Sequence, residues 1–169
     1  MTIKNKRNLG IDFHDTLSYD PDFFRILMSI WITNDIGKVF IITGTPESKR
    51  QETIEQLNNI NILHGREYNE ILMGFEYDKN DMDVNHFKRM QEHKLKHLLA
   101  NNVRIYWDDN PHYVNIARNY GITVFQPILS KKYIEEFEKK DKFFTCNLQT
   151  LQFDFLNNLK PGKIEKLKH

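Results

Sequence analysis

The sequence predicts an α/β fold, a parallel sheet in three layers followed by a helical C-terminal extension. Three observations predict it. Short β-rich runs alternate with segments of helical periodicity. One run, Val39-Phe40-Ile41-Ile42, is apolar without interruption, as a central strand buried on both faces must be. Polar residues gather directly after three of the runs, where an open parallel sheet holds its ligands.

The first strand spans Asn8 to Phe13. Asp20 then offers an N-cap and Pro21 a first helical position, followed by Phe23, Phe24, Leu27, Ile30 and Trp31 at helical spacing, with Gly37 as terminator. After the Val39–Ile42 strand, Thr43-Gly44-Thr45-Pro46 leads into a second helix reaching Asn59. Tyr68 to Gly74 reads as the third strand, Val84 to Asn101 as the third helix and Val103 to Trp107 as the fourth strand. A short helix, His112 to Tyr120, is closed by Gly121, and Ile122 to Phe125 is the fifth strand. Beyond Pro127 a charged helix, Lys131 to Lys140, precedes a Phe- and Leu-rich segment, Phe143 to Leu159. Residues 1–130 are therefore read as one core domain and 131–169 as an extension that packs on the core or on a partner.

Composition narrows the function. Of 169 residues 40% are hydrophobic and 28% charged, enough for a core and unlike a disordered chain. No run approaches the roughly 20 apolar residues of a membrane span, and Met1 to Asn8 lack a signal-peptide core. A lone cysteine, Cys146, permits neither an internal disulfide nor a cysteine zinc cage, so a reducing, cytoplasmic setting is expected. The net charge of +1, from 24 basic and 23 acidic residues, supplies no global field for nucleic acid or membrane, so an anionic substrate must be caught locally.

The clusters that would catch it are Asp12 with His14, Asp15 and Thr16 after the first strand, Thr43 and Gly44 after the second, and Asp108 and Asp109 after the fourth. Each alone is ordinary turn chemistry. Three on one sheet edge point to a site.

Ile11-Asp12-Phe13-His14-Asp15-Thr16-Leu17, then Phe40-Ile41-Ile42-Thr43-Gly44, a later helical lysine and Ile105-Tyr106-Trp107-Asp108-Asp109 resemble, in order, the four motifs of the haloacid dehalogenase-like superfamily. The resemblance covers about residues 8 to 127. It implies a Rossmann-like core and the activity of most members, magnesium-dependent phosphate hydrolysis. Asp12 would be the nucleophile, forming an aspartyl-phosphate that splits one hard displacement into two easier ones. Mg2+ would be held by Asp12, the main-chain carbonyl of His14, Asp108 and Asp109, the last directly or through water. Thr43 would bond a phosphoryl oxygen, and Thr16, Gly44 and Asp15 stand as substrate-binding positions. Lys88, Lys94 and Lys96 precede the fourth strand on one helix. Lys94, at the edge of the apolar stripe Leu95, Leu98 and Leu99, is the favoured site lysine.

One position departs from the pattern. The residue two after the nucleophile is usually a second aspartate that protonates the leaving oxygen; here it is His14, followed by Asp15 where glycine is usual. Histidine, with an ordinary pKa of about 6.5, is able to give and take protons near neutrality, and Asp15 is placed to orient it. The short interval between the first two motifs leaves no room for a large cap, and Asn59 to Val84 holds at most a small hairpin or loop. By resemblance, such open sites act on bulky substrates or borrow a lid from a neighbouring subunit of a homo-oligomer. Substrates in range are phosphorylated small molecules, nucleotides and nucleic-acid ends, with Phe13, Tyr19 and Trp107 as candidate stacking partners for a base or, equally, as core. A different class of reading is a binding or assembly module that keeps the magnesium and phosphate pocket without turnover. His93 and His97, at i and i+4, have half of a zinc-site spacing but no glutamate between them and no evident third ligand, and read as exposed helical histidines.

Overall fold

The computed structural model describes residues 6–78, 82 and 84–127. The expected extension, 131–169, lies outside the described residues.

Five strands, β1 (Asn8–Asp12), β2 (Val39–Pro46), β3 (Glu70–Gly74), β4 (Val103–Trp107) and β5 (Thr123–Phe125), form one parallel sheet in the order β3-β2-β1-β4-β5. Four helices connect them: α1 (Pro21–Thr33), α2 (Arg50–Asn59), α3 (Val84–Ala100) and α4 (Pro111–Asn119). The core splits by the two-residue period of the strands. Leu9, Ile11, Val39 and Ile41 face α1 and α2, packing on Phe24, Met28 and Leu57. Phe40, Ile42, Val103 and Tyr106 face α3 and α4, packing on Leu98 and Ala117. Full burial of each Leu or Ile contributes about 1.5–3 kcal/mol, which is why the sheet tolerates so little polarity before its ends. The same alternation places Gly10 on the α3/α4 face, where an added Cβ would come within 2.9 Å of Ile42 and 3.2 Å of Tyr106. Asp12 shares that face two residues later. Since β1 pairs with β2 on one side and β4 on the other, its carboxyl end is where the strand order reverses.

Several expected boundaries shift. Helix α1 begins as anticipated, with the Asp20 side chain accepting from the Phe23 N–H at 3.1 Å and Pro21 at the first position. It ends at Thr33, and the left-handed residue is Asp35, at φ 50°. Gly37 is demanded instead by a close approach, since a Cβ there would sit 2.1 Å from the Arg7 carbonyl oxygen. On α1 the buried residues are Phe24 and Met28, while Phe23 and Ile30 are about half exposed, so the apolar stripe is narrower than its spacing implied. Strand β2 continues to Pro46 because that residue still pairs with Gly74, and a short turn, Glu47–Lys49, delays α2 to Arg50. Gly121 closes α4 at φ 79°, as expected.

Candidate active site

Directly after β1 the chain makes a tight turn, Phe13–Leu17, in which Asp15 adopts φ 60°. This left-handed conformation favours glycine but is open to aspartate, whose short polar side chain tolerates it. The turn is pinned by the Asp15 N–H donating to Ser18 Oγ at 3.0 Å and by Phe13 and Leu17 buried in the core.

Asp12, Asp108 and Asp109 bring one carboxylate oxygen each within 4.8 Å of one another. Asp12 and Asp108 are buried, and Lys94, also buried, reaches both from α3: its Nζ lies 2.5 Å from Asp12 Oδ1 and 3.1 Å from Asp108 Oδ2. Lys88 and Lys96 are exposed, and of the three lysines it is Lys94 that the fold brings to the carboxylates. Its ammonium also sits 4.2 Å from the centre of the Tyr113 ring. Within the neighbouring apolar stripe Leu95 and Leu98 are buried, but Leu99 is 47% exposed and belongs to the solvent face.

The electrostatics follow from three carboxylates sharing one ammonium in a water-poor place. Burial pushes the Asp12 carboxyl up, against the pull of Lys94, and Asp108 adds to the rise. Asp109 is raised to about 6 by burial, then by Asp108 and Asp15. Burial alone would lower the Lys94 pKa, but Asp108 and Asp12 outweigh it and hold the ammonium charged. Such a cluster carries an excess of negative charge and hard oxygen donors, the set that suits a divalent cation with oxygen preference.

Two residues that the sequence reading passed over complete the pocket. Tyr106, fully buried, donates its hydroxyl to Asp108 Oδ2, while the Asn110 N–H donates to Asp108 Oδ1 at 2.8 Å. Tyr106, on β4, precedes Asp108 by two, the strand period, which was the available signal. Tyr113, on the first turns of α4, was marked by nothing in the local pattern.

The remaining expected residues divide. Thr43 is buried beside His14, its Oγ1 3.4 Å from the His14 Nδ1, and it accepts from the Thr45 N–H at 3.1 Å. Thr45 is thus a neighbour that the motif did not name. His14 is exposed at the rim, its ring against Phe13 at 4.5 Å between centroids. Partial burial lowers its pKa from 6.5, and the Asp15 charge opposes this. Thr16 is not turned toward a ligand: its hydroxyl donates to Asp109 Oδ1 at 3.2 Å and accepts the Asp109 N–H at 2.9 Å, which makes it a positioning residue for that carboxylate. Gly44 has only ordinary contacts around its missing Cβ, the nearest at 3.7 Å; the steric demand falls on Gly74, whose Cβ would lie 2.4 Å from the Gly44 carbonyl oxygen. Phe13 and Trp107 are core, the latter stacked on Phe125 at 4.7 Å and touching Phe24, which leaves Tyr19 alone of the three at the surface. A cleft of about 220 Å³ opens beside His14, lined by Thr45, Lys49, Glu52, Gln56 and Tyr77 among others.

No family model matches the sequence, and no curated protein does. Among solved structures, a chain of the Pnkp1/Rnl/Hen1 RNA repair complex is similar at 18% identity and a TM-score of 0.52, over 77% of this chain and 45% of its own length. The present chain thus spans under half of that one. An uncharacterized protein from Corynebacterium glutamicum matches over 80% of this chain and 94% of its own at 16% identity, TM-score 0.48. The core domain of a candidate phosphoglycolate phosphatase from Streptococcus pneumoniae matches over 80% and 96% at 17% identity, TM-score 0.44. At 18% identity the likeness to the RNA repair chain is one of fold. The five-stranded parallel sheet with flanking helices is a Rossmann-like α/β fold. No helix among the described residues is long and apolar enough to cross a membrane.

Proposed function

We propose that this protein is a magnesium-dependent phosphomonoesterase working through an aspartyl-phosphate on Asp12. The observation that carries the reading is the convergence of Asp12, Asp108 and Asp109 around the buried Lys94 at the carboxyl edge of the sheet. The donor set fits Mg2+, which Asp12, Asp108, Asp109 and the His14 carbonyl would hold and which, when bound, would offset the repulsion between the carboxylates and the phosphoryl oxygens.

The chain's own residues account for the rest. One Asp12 oxygen attacks phosphorus, forming the O–P bond as the ester oxygen departs. Lys94 pulls Asp12 toward its ionised form and neutralises the transferring group. Thr43 donates to a phosphoryl oxygen. His14, at the rim, protonates the leaving oxygen and then takes a proton from the water that hydrolyses the acyl-phosphate. Tyr106 and Asn110 fix Asp108, and Thr16 fixes Asp109, so the acidic oxygens stay in place without ligand. The cleft beside His14 would take the part of the substrate beyond its phosphate, with Lys49 and Gln56 as polar contacts and Tyr77 as an aromatic wall. A nucleotide or a nucleic-acid end fits that description better than a small sugar phosphate. A cytoplasmic setting remains part of this proposal.

The test is phosphate release from a panel of phosphomonoesters, including nucleoside monophosphates and phosphorylated DNA ends, with Mg2+. Asp12→Asn is expected to lower the rate by at least about a thousandfold. Release that persists in the variant would remove Asp12 as the nucleophile, and no release by the parent on any member while it binds Mg2+ would reject the phosphatase in favour of a binding module.

A further inference from the structure

Beside Lys94 on α3, two histidines and a carbonyl converge. His93 and His97 bring their Nε2 atoms within 3.0 Å of each other, and these lie 3.0 Å and 2.9 Å from the main-chain oxygen of Met73 on the edge strand β3. Both rings are half buried rather than exposed, and Phe75 packs edge-on against His93 at 5.5 Å. Hydrogen bonding accounts for the two contacts to the carbonyl, whose lone pairs accept one Nε2–H from each ring, but not for the approach of the nitrogens, since two donors side by side at 3.0 Å repel. Donor separations near 3 Å match three ligands at right angles around an ion about 2.1 Å from each, the usual imidazole-to-metal distance. Imidazole nitrogen selects ions of the zinc and nickel kind over magnesium.

We propose that His93 Nε2, His97 Nε2 and the Met73 carbonyl form a second metal site, for one borderline divalent transition-metal ion, that clamps α3 to β3. The third donor is main chain, which is why the residue types alone offered no third ligand. Glu70 and Glu47 lie close enough to the His97 ring to offset an ion's charge. The site lies next to function by chain position: Lys94 follows His93 directly and precedes His97 by less than one turn. An ion here holds the helix that delivers Lys94 to Asp12 and Asp108.

The experiment is a Zn2+ titration of the intact protein against a chromophoric chelator, with excess Mg2+ present to occupy the acidic pocket. One equivalent should bind and raise the melting temperature. His93→Ala and His97→Ala should each weaken binding by at least about tenfold, whereas Asp109→Asn should leave it unchanged. Should either histidine variant misfold, nitrogen NMR of the parent decides, because Zn2+ must shift two imidazole Nε2 resonances. Zn2+ binding that survives the double histidine variant, that disappears in Asp109→Asn, or that leaves those resonances in place overturns the site. None of these outcomes depends on phosphatase activity.

Discussion

Lys6 and Asp35 meet at 2.6 Å near the amino ends of the strands, with side chains 60% and 79% exposed. Lys94 and Asp12 meet at 2.5 Å near the carboxyl ends, with side chains 5% and 7% exposed. The lengths are the same, and the surroundings are opposite. The first pair lines the larger cavity, about 550 Å³, together with Asn8, Lys38 and Asn69, where water screens each charge. The second sits with two more carboxylates where water is scarce and every charge bears on the others. The cavity of about 550 Å³ and the buried charges thus lie at different ends of the sheet, and the proposed chemistry follows the buried charges.

Breaking each pair separates them most. Lys94→Met strands Asp12 and Asp108 as buried carboxylates, and loss of one partner of a buried pair costs about 3–5 kcal/mol. Lys6→Met should change stability by less than about 0.5 kcal/mol. Urea unfolding of both variants without divalent metal checks this, and similar losses would show that burial is not what distinguishes the two ends. A further sharpening is Asp12→Asn. It removes one of three anions competing for one ammonium, so it should raise the metal-free melting temperature even as it removes activity.

The two ends also differed in what the sequence could disclose. Asp12, Thr43, Asp108 and Asp109 were visible because the two-residue strand period and the polar residues after each run place them without any knowledge of packing. Lys94 was recoverable as a cation on the border of an apolar stripe. Thr16 was placed on the substrate side because its sequence position adjoins the nucleophile, but its hydroxyl pairs with Asp109, a contact between residues 93 positions apart. Tyr113 and the Met73 carbonyl depend on how α4 and α3 lie over the sheet, and local pattern does not encode that. Gly37 misled for a related reason: a glycine required by the Arg7 carbonyl looks the same in sequence as one that ends a helix.

His14 tests whether the rim of the acidic end is chemical or merely adjacent. His14→Ala should lower turnover by at least about a hundredfold, the usual scale of acid and base catalysis, while leaving Mg2+ binding intact because that contact is main chain. As leaving-group acid His14 must be protonated when substrate binds. With its pKa below the ordinary 6.5, kcat/KM for the parent should fall as pH rises through a value under that figure, and this limb should be absent from His14→Gln. A variant as fast as the parent would remove His14 from the mechanism and leave Asp12 and its cation to be explained without it.

The smallest expected effect concerns protons on Asp109, and its sign can be worked out. Its pKa is raised from 3.8 to about 6, so between those values the folded, metal-free protein binds more protons than the unfolded chain. Stability contributed by this group therefore declines as pH climbs through that window and is level above it. Mg2+ requires the ionised carboxylate and so competes with the proton. Melting curves with and without Mg2+ should give a small stabilisation at about pH 5 and a larger one at about pH 7.5, with the rise centred near the Asp109 pKa. Asp109→Asn should flatten the metal-free dependence and shrink the Mg2+ response together, because both have one source, a carboxylate that burial and Asp108 make reluctant to ionise alone. Asp35 is exposed and lies apart from the acidic cluster, so Asp35→Asn should leave both curves where the parent has them. An equal Mg2+ effect at the two pH values would mean that the cation binds without displacing the proton, and Asp109 would then act through water rather than as a direct ligand.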